Sequence, residues 1–144
     1  MEHLERPDEL EWDERRLWFE EREASHAQGG VSDLSEQACA LMIDLQVAYC
    51  AGAWSAVVIL AAAIVDAQSL HRGFPPDGLT EERAWLRGLR NRLLHEDSSD
   101  PALTIEDQWT KRGDWQRKAK RAVGVALGVL YHRGVRRERR QGRR

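Results

Sequence analysis

The side chains best suited to chemistry lie in one short stretch near the middle of the sequence, residues 86–96 (LRGLRNRLLHE). Arg90 offers a planar fork of donors that can hold a phosphate group. His95 can take up or release a proton near neutral pH. Asn91 and His95 stand four residues apart, so they would share one face of a helix. The stretch therefore contains what is needed to bind a phosphodiester and to move a proton beside it.

The spacing of Arg90 and His95 is itself a constraint. They are five residues apart, which corresponds to about 140° around an ideal helix. A regular helix would therefore not point both side chains into one cleft. Three solutions stay open: the long arginine side chain reaches round the helix, the helix ends near Leu93, or one site combines residues from two chains.

The pattern Arg90-Asn91-x3-His95, in a leucine-rich helical frame that follows an alanine-rich helix, resembles the R-N-x3-H motif of the HEPN superfamily. The resemblance extends loosely over residues 34–132. It implies an all-α fold, a HEPN-like bundle of four to five helices, and metal-independent endoribonuclease activity without a cofactor. It also implies a homodimer, because HEPN nucleases typically place both motifs at a symmetric interface.

On this resemblance the catalytic residues would be Arg90, Asn91 and His95, and the substrate would be RNA. His95 would act as general base on a ribose 2′-hydroxyl or as general acid to the leaving 5′-oxygen. Arg90 would stabilise charge on the phosphoryl oxygens. Asn91 would contact the phosphate or orient His95. The product would carry a 2′,3′-cyclic phosphate.

Residues 47–65 carry no charge over 19 positions, which reaches the length of a membrane span. It is rich in small residues, lacks a clear positive flank and runs into Asp66. We therefore predict a buried core helix and no membrane contact, with a membrane-associated protein as the alternative. Asp66 has two interpretations: either it fixes Arg90 through a bidentate pair in the catalytic site, or it is solvated where the helix emerges.

The chain divides into three parts. Residues 1–30 form a charged N-terminal helical arm, whose helix over residues 8–24 has a narrow apolar edge and would lie on the bundle or on a partner chain. Residues 31–132 form the HEPN-like bundle. Residues 133–144 form a basic tail that is too polar to fold alone. The apolar edge of the arm consists of Leu10, Leu17 and Trp18.

Apolar residues with helical spacing predict the core helices of the bundle. Ser32 or Asp33 would cap the first of them. Thr80 would cap the motif helix, and Asp114 would cap the last helix. One apolar arc of the motif helix would face the core: Trp85, Leu86, Leu89 and Leu93. The opposite stripe either admits a neighbouring helix or is simply exposed; it consists of Ala84, Gly88, Asn91 and His95.

Charge is unevenly distributed, although the formal net charge is only −2. Residues 1–24 hold ten acidic and four basic side chains, whereas residues 111–144 hold thirteen basic and two acidic ones. A basic end can follow the phosphates of a nucleic acid, but an acidic start packed near it, or a solvated tail, explains the pattern equally well. The candidate RNA-binding residues are Arg83 and Arg87 on the motif helix and Arg136, Arg137, Arg139 and Arg140 in the tail.

Cys39 and Cys50 lie in or beside apolar helical patterns, which is typical of buried thiols in a reducing compartment. The sequence contains no CxxC motif or Cys/His cluster of the kind that binds zinc, and no carboxylate cluster that would bind another metal. The acidic N-terminal stretch does not resemble a secretory signal. These features predict a cytoplasmic protein without a metal or other cofactor.

The biological role stays open at this point. HEPN toxins that pair with a small nucleotidyltransferase antitoxin usually carry a tyrosine two residues after the motif histidine, where this chain has Asp97. That pairing is therefore disfavoured, while another antitoxin or regulatory protein, and a role as a toxin or in phage defence, stay open. The alternative function is a non-catalytic helical interaction or nucleotide-binding module, in which the motif holds a dimer together or binds a nucleotide.

Overall fold

The computed structural model describes residues 5–28, 33–73 and 78–132. Within these ranges the chain forms six α-helices and no β-strand in a compact arrangement, which confirms the all-α prediction. The predicted basic tail, residues 133–144, lies outside the described residues. The helices are α1 (Glu9–Ala27), α2 (Glu36–Ala51), α3 (Trp54–Arg72), α4 (Thr80–Leu94), α5 (Ile105–Thr110) and α6 (Arg112–Leu130).

The core is built around α3, which packs against α2, α4 and α6. Both α3 and α6 bury many small side chains, and small side chains allow helix axes to approach closely. Larger apolar residues, among them Val57, Ile64 and Leu127, are completely buried around them. Among the described residues α3 alone has the length and apolar composition that a membrane span would need. The buried alanines are Ala61 and Ala62 on α3 and Ala119, Ala122 and Ala126 on α6.

The N-terminal helix α1 lies on the bundle, against α2 and α6, and of the predicted edge only Trp18 packs against the core. Leu10 and Leu17 are exposed. Phe19 is instead fully buried, and Trp18 stacks on Tyr49 with 4.8 Å between ring centroids. The prediction for Leu10 and Leu17 was wrong because two adjacent large aromatics bury more apolar area than isolated leucines.

The uncharged run over residues 47–65 is not one helix, which corrects the prediction of a single core helix there. Gly52 ends α2 in the left-handed conformation, with φ of 75°. Its N–H donates to the carbonyl oxygens of Ala48 and Tyr49, and α3 then starts at Trp54. Glycine is favoured at this position because it has no Cβ to clash in the left-handed region.

Two arginines hold the break between α2 and α3. Arg15 Nη1 donates to the Cys50 carbonyl at 3.1 Å, and Arg112 Nη2 donates to the Gly52 carbonyl at 2.5 Å. Both guanidinium groups also lie over the Trp54 ring, at 5.0 and 5.7 Å from its centroid. Burial, and secondarily the charge of Arg15, lower the pKa of Arg112. The two guanidinium groups repel each other. The carbonyls at a helix C-terminus carry partial negative charge, so they compensate part of the repulsion between Arg15 and Arg112.

The helix starts differ from the predicted caps. Ser35, rather than Asp33, caps α2 by accepting from the Ala38 N–H, and Ser32 lies outside the described residues. Thr80 is the first residue of α4, which begins without a side-chain cap. Asp114 lies inside the first turn of α6 and does not cap it. Lys111 is both the last flanking residue of α5 and the N-cap residue of α6, so the two helices follow each other directly. An acid in that turn still suits the helix dipole.

Gln68 is completely buried and ties the end of α3 to the start of α2. Its Oε1 accepts from the Ser35 N–H at 2.8 Å, and its Nε2 donates to the Asp33 carbonyl at 3.0 Å. Both ends of the amide are thereby satisfied, as a buried polar group requires.

Gly52→Ala should destabilise the protein by about 1–2 kcal/mol, since alanine is strained in the left-handed region and its Cβ would lie 3.0 Å from Arg15 Nη1. The matched change Gly124→Ala lies inside α6, where an added Cβ meets nothing within 4 Å. It should stabilise the protein by about 0.5–1 kcal/mol. Urea unfolding followed by circular dichroism measures both changes. Shifts of the same sign would contradict this account of Gly52.

Candidate functional site

The motif helix α4 packs against α3 and α6. Leu86 is buried, and the other three residues of the predicted apolar arc pack partly buried against the core. Near the start of α4, Glu82 accepts from Arg121 Nε and Nη2 at 2.9 and 2.8 Å. This contact lowers the pKa of Glu82, and Arg121 also lies 4.0 Å from the centroid of the Trp85 ring. These contacts fix the rotation of α4 about its own axis.

Arg90 turns toward α3. Its Nη1 lies 2.5 Å from Asp66 Oδ2, so the ion pair bridges α3 and α4. The Arg90 side chain is 21% exposed and that of Asp66 is 54% exposed. The carboxylate is therefore open to solvent while the arginine stem is packed. The structure thus pairs Asp66 with Arg90, through one guanidinium nitrogen rather than the predicted bidentate contact.

Asn91 orients the same guanidinium. Its Oδ1 accepts from Arg90 Nε at 3.2 Å and from Nη2 at 3.1 Å. A guanidinium has five N–H donors, of which three are used by Asn91 and Asp66 within the described residues. Two N–H groups are left for a further acceptor. Asn91 was expected to contact a phosphate or to orient His95, whereas its oxygen here holds Arg90.

His95 lies just past the end of α4. Its backbone is extended, with φ of −125° and ψ of 97°, and its N–H donates to the Asn91 carbonyl at 2.9 Å. The helix ends at Leu94, so the 140° separation expected for a regular helix does not apply. The His95 side chain is exposed, and its ring forms no hydrogen bond to any described residue. The structure therefore links Asp66, Arg90 and Asn91 by side-chain contacts, but not His95.

The segment after His95 forms a turn. Asp97 Oδ1 accepts from the Ser99 hydroxyl at 2.6 Å and from the Ser99 N–H at 3.0 Å. These two hydrogen bonds lower the pKa of Asp97. Arg92 lies 3.6 Å from Asp100. The Asp97 carboxylate is thus used within its own turn.

The predicted RNA-binding arginines have different environments. Arg87 is exposed on α4. Arg83 is half-buried, and its Nε is buried without a hydrogen-bond partner among the described residues. The four tail arginines lie outside the described residues. They are Arg136, Arg137, Arg139 and Arg140.

The stripe of small and polar residues on α4 is open surface. Ala84, Gly88, Asn91 and His95 are all exposed, and a Cβ added at Gly88 would meet nothing within 4 Å. The glycine therefore has no packing role within one copy of the chain. Among the described residues there is no group of three or more His, Cys, Asp or Glu side chains that could hold a metal ion.

A comparison with protein-family models, with curated proteins and with solved structures finds no match to this chain.

The sequence did not point to a group of basic residues on α1 and α6 that lie over aromatic rings. Lys120 and Arg22 lie near Trp18, Lys118 lies over Trp115 and Arg121 lies over Trp85. A sequence signal was present, since Arg22 follows Trp18 by one helical turn and residues 117–121 contain four bases. Lys120 and Arg121 lie over tryptophans of other helices, and these two contacts could be found only from the fold.

The Arg90–Asp66 pair should contribute little to stability, because exposed ion pairs are typically worth about 0.2–1 kcal/mol. A double-mutant cycle with Arg90→Ala and Asp66→Asn, measured by urea unfolding, should give a coupling free energy in this range. Arg92→Ala serves as the control for removing an arginine near the end of α4. A coupling of about 3 kcal/mol or more would show instead that the pair is mainly a structural clamp.

Proposed function

We propose that this protein is a metal-independent endoribonuclease of the HEPN type, with Arg90 and His95 in its catalytic site. The observation that supports it best is the state of the Arg90 guanidinium. It is held by Asp66 and Asn91, yet it keeps two N–H donors for an acceptor. A phosphate oxygen is the acceptor that such an oriented fork suits best.

The reaction proceeds by transesterification. His95 takes the proton of a ribose 2′-hydroxyl, and the 2′-oxygen attacks the adjacent phosphorus. The bond from phosphorus to the 5′-oxygen breaks, and that oxygen leaves with a proton from the protonated histidine or from water. Arg90 stabilises the negative charge that develops on the phosphoryl oxygens. The products are a 2′,3′-cyclic phosphate and a 5′-hydroxyl.

Asp66 has a positioning role in this mechanism. It contacts Arg90 and not the substrate, and it fixes the direction of the Nη1 side of the guanidinium. The negative charge of Asp66 also weakens the electrostatic attraction between Arg90 and an anion when no substrate is bound. The two remaining N–H groups must therefore capture a phosphate whose other oxygens point away from Asp66.

Assembly completes the proposal. The exposed stripe with Gly88 at its centre lets two copies of α4 approach across a two-fold axis, and an isologous contact would bring both motifs together. The protein would then act as a cytoplasmic homodimer on RNA, as a toxin or phage-defence effector under the control of an antitoxin or another regulatory protein.

A second function has one observation in its favour. Asp66 already neutralises the charge of Arg90 and joins α3 to α4. The motif could therefore serve a non-catalytic helical interaction module, in which Arg90 is structural and His95 is a surface residue. This alternative predicts an intact fold and no RNA cleavage.

Purified protein should cleave single-stranded RNA in the presence of EDTA. His95→Ala should reduce the rate about 100-fold or more, the usual scale for losing a general acid or base, and Arg90→Ala should act similarly by removing charge stabilisation. Arg90→Lys should restore little activity, because a point charge does not reproduce the oriented fork. Rates are measured on a fluorescently labelled oligoribonucleotide.

Arg92→Ala is the matched control, since Arg92 is an exposed arginine on the same helix whose ion pair is with Asp100. It should cleave like the unchanged protein. Cleavage by the Arg90→Ala, His95→Ala double variant at the original rate would assign the activity to a contaminant. A strict requirement for magnesium would overturn the proposed chemistry.

Gly88→Trp should shift the protein toward monomer, because a large side chain on the stripe blocks close approach of two α4 helices. Sedimentation velocity at micromolar concentration measures this shift. Ala40→Trp, on the exposed face of α2, is the control and should leave the dimer unchanged. A monomeric unchanged protein would contradict the composite site.

A further inference from the structure

A cavity of about 450 Å³ lies between α1, the start of α4 and α6, on the side of α4 that faces α6. Small-molecule sites commonly have volumes of about 300–1,000 Å³. Neither the Arg90 site nor the stripe around Gly88 contributes to its walls. The cavity is therefore a separate feature of the surface.

The cavity has an excess of positive charge. Arg22, Lys120 and Arg121 line it, and Glu82 is the acid among its lining residues. Glu82 is fully engaged with Arg121 through both carboxylate oxygens. Within the part of the chain that the structure describes, Arg22 and Lys120 have no ion-pair partner. Two uncompensated cations in one concave site attract an anion.

The same two cations lie over an aromatic ring. Arg22 lies 5.9 Å and Lys120 lies 5.3 Å from the centroid of Trp18. Trp18 is held from behind by its stack on Tyr49. The indole is thus a fixed surface with two positive side chains over it, and aromatic rings combined with positive charge are what proteins use to contact the bases and phosphates of single-stranded nucleic acids.

The remaining wall is apolar and open. Leu79 and Val125 line it, together with Gly124. A Cβ added at Gly124 would meet nothing within 4 Å, so the glycine leaves room inside the cavity rather than packing against a neighbour. A flat base has space to enter at this point.

His26 adds a polar group to the same cavity. Its Nδ1 lies 3.0 Å from the Arg22 carbonyl oxygen. Because a carbonyl can only accept, Nδ1 carries the proton in this arrangement, and Nε2 is left to interact with a ligand.

We propose that this cavity is a second contact site for single-stranded RNA, which binds one nucleotide at a distance from the cleaved bond. The phosphate lies between Arg22 and Lys120, and the base lies against Trp18 and the apolar wall. The proposal rests on the ribonuclease function for its role but not for its binding. Glu82 and Arg90 are eight residues apart, about 12 Å along α4 and about 80° around it, so a few nucleotides of one strand can span both sites.

An acidic protein segment is the competing occupant, since it would also satisfy the two cations. The observations favour RNA, because an acidic peptide would use neither the ring of Trp18 nor the open apolar wall beside Gly124. A nucleotide uses all three features at once.

The test measures binding of a labelled single-stranded RNA of about ten nucleotides, by fluorescence anisotropy, to full-length protein carrying His95→Ala so that no cleavage occurs. Adding Gly124→Leu fills the cavity and should weaken binding about tenfold or more, the scale of losing one stacked base. The unfolding temperature should stay the same or rise, because leucine replaces glycine in an uncrowded helix. Arg22→Ala with Lys120→Ala should weaken binding similarly and reduce its salt dependence by about one phosphate contact.

Lys118→Ala is the matched control. Lys118 lies on the same helix and over a tryptophan, Trp115, but does not line the cavity. It should leave RNA affinity within about twofold of the His95→Ala parent, the change expected of an exposed charge outside the contact site. Unchanged RNA binding by the Gly124→Leu and Arg22→Ala, Lys120→Ala variants would overturn the proposal. So would tight, Gly124→Leu-sensitive binding of a poly-glutamate peptide that RNA does not displace.

A further arm separates this proposal from the ribonuclease proposal. With His95 intact, Gly124→Leu should cut a dinucleotide, too short to reach the cavity, at the single-turnover rate of the unchanged protein. It should cut the longer RNA less efficiently at low concentration. If no variant cuts any RNA but Gly124→Leu still weakens RNA binding, the ribonuclease proposal fails and the binding site stands.

Discussion

Close packing of α3 in the centre of the bundle is the constraint on which the other helices depend. A helix with alanines on its inner face can approach α6 closely, and both helices bury these small residues. The charged residues of α3 are therefore confined to its last turns and its rim, where Asp66 emerges beside α4. Arg90 meets a carboxylate at this place, where α3 is exposed to solvent beside α4.

Three arginines of this protein bind backbone carbonyls. Arg15 and Arg112 donate to carbonyls at the end of α2, and Arg72 donates to the carbonyls of Val129 and Leu130 at 3.3 and 3.0 Å. Such contacts compensate the partial negative charge of helix ends. Arg90 has side-chain partners instead, as Arg16, Arg117 and Arg121 also have. What supports a role for Arg90 in binding is that Asn91 and Asp66 together orient its guanidinium, while two of its donors have no partner among the described residues.

Periodicity predicted α2, α4 and α6 and most of the core, because the apolar faces of these helices follow helical spacing closely, but it did not predict the short helix α5. It missed the break at Gly52, since an apolar run looks the same whether one helix or two cross the core, and only the left-handed glycine separates them. The Arg90–Asp66 pair could be proposed from the sequence, because a carboxylate and a guanidinium group form ion pairs. Its geometry with Asn91 could not be proposed, because that depends on the side-chain conformations of two adjacent residues. The cavity around Trp18 could not be proposed either, because it depends on how helices distant in sequence pack.

The most direct test of the central claim is the chemical identity of the new RNA ends. An oligonucleotide with a single ribonucleotide in a DNA strand, incubated with the protein in EDTA, should be cut only after that ribonucleotide. Mass spectrometry should find a 2′,3′-cyclic phosphate on one fragment and a 5′-hydroxyl on the other, as attack by the 2′-oxygen beside Arg90 and His95 requires. Fragments with a 3′-hydroxyl and a 5′-phosphate, or equal cleavage of the all-DNA strand, would contradict the account.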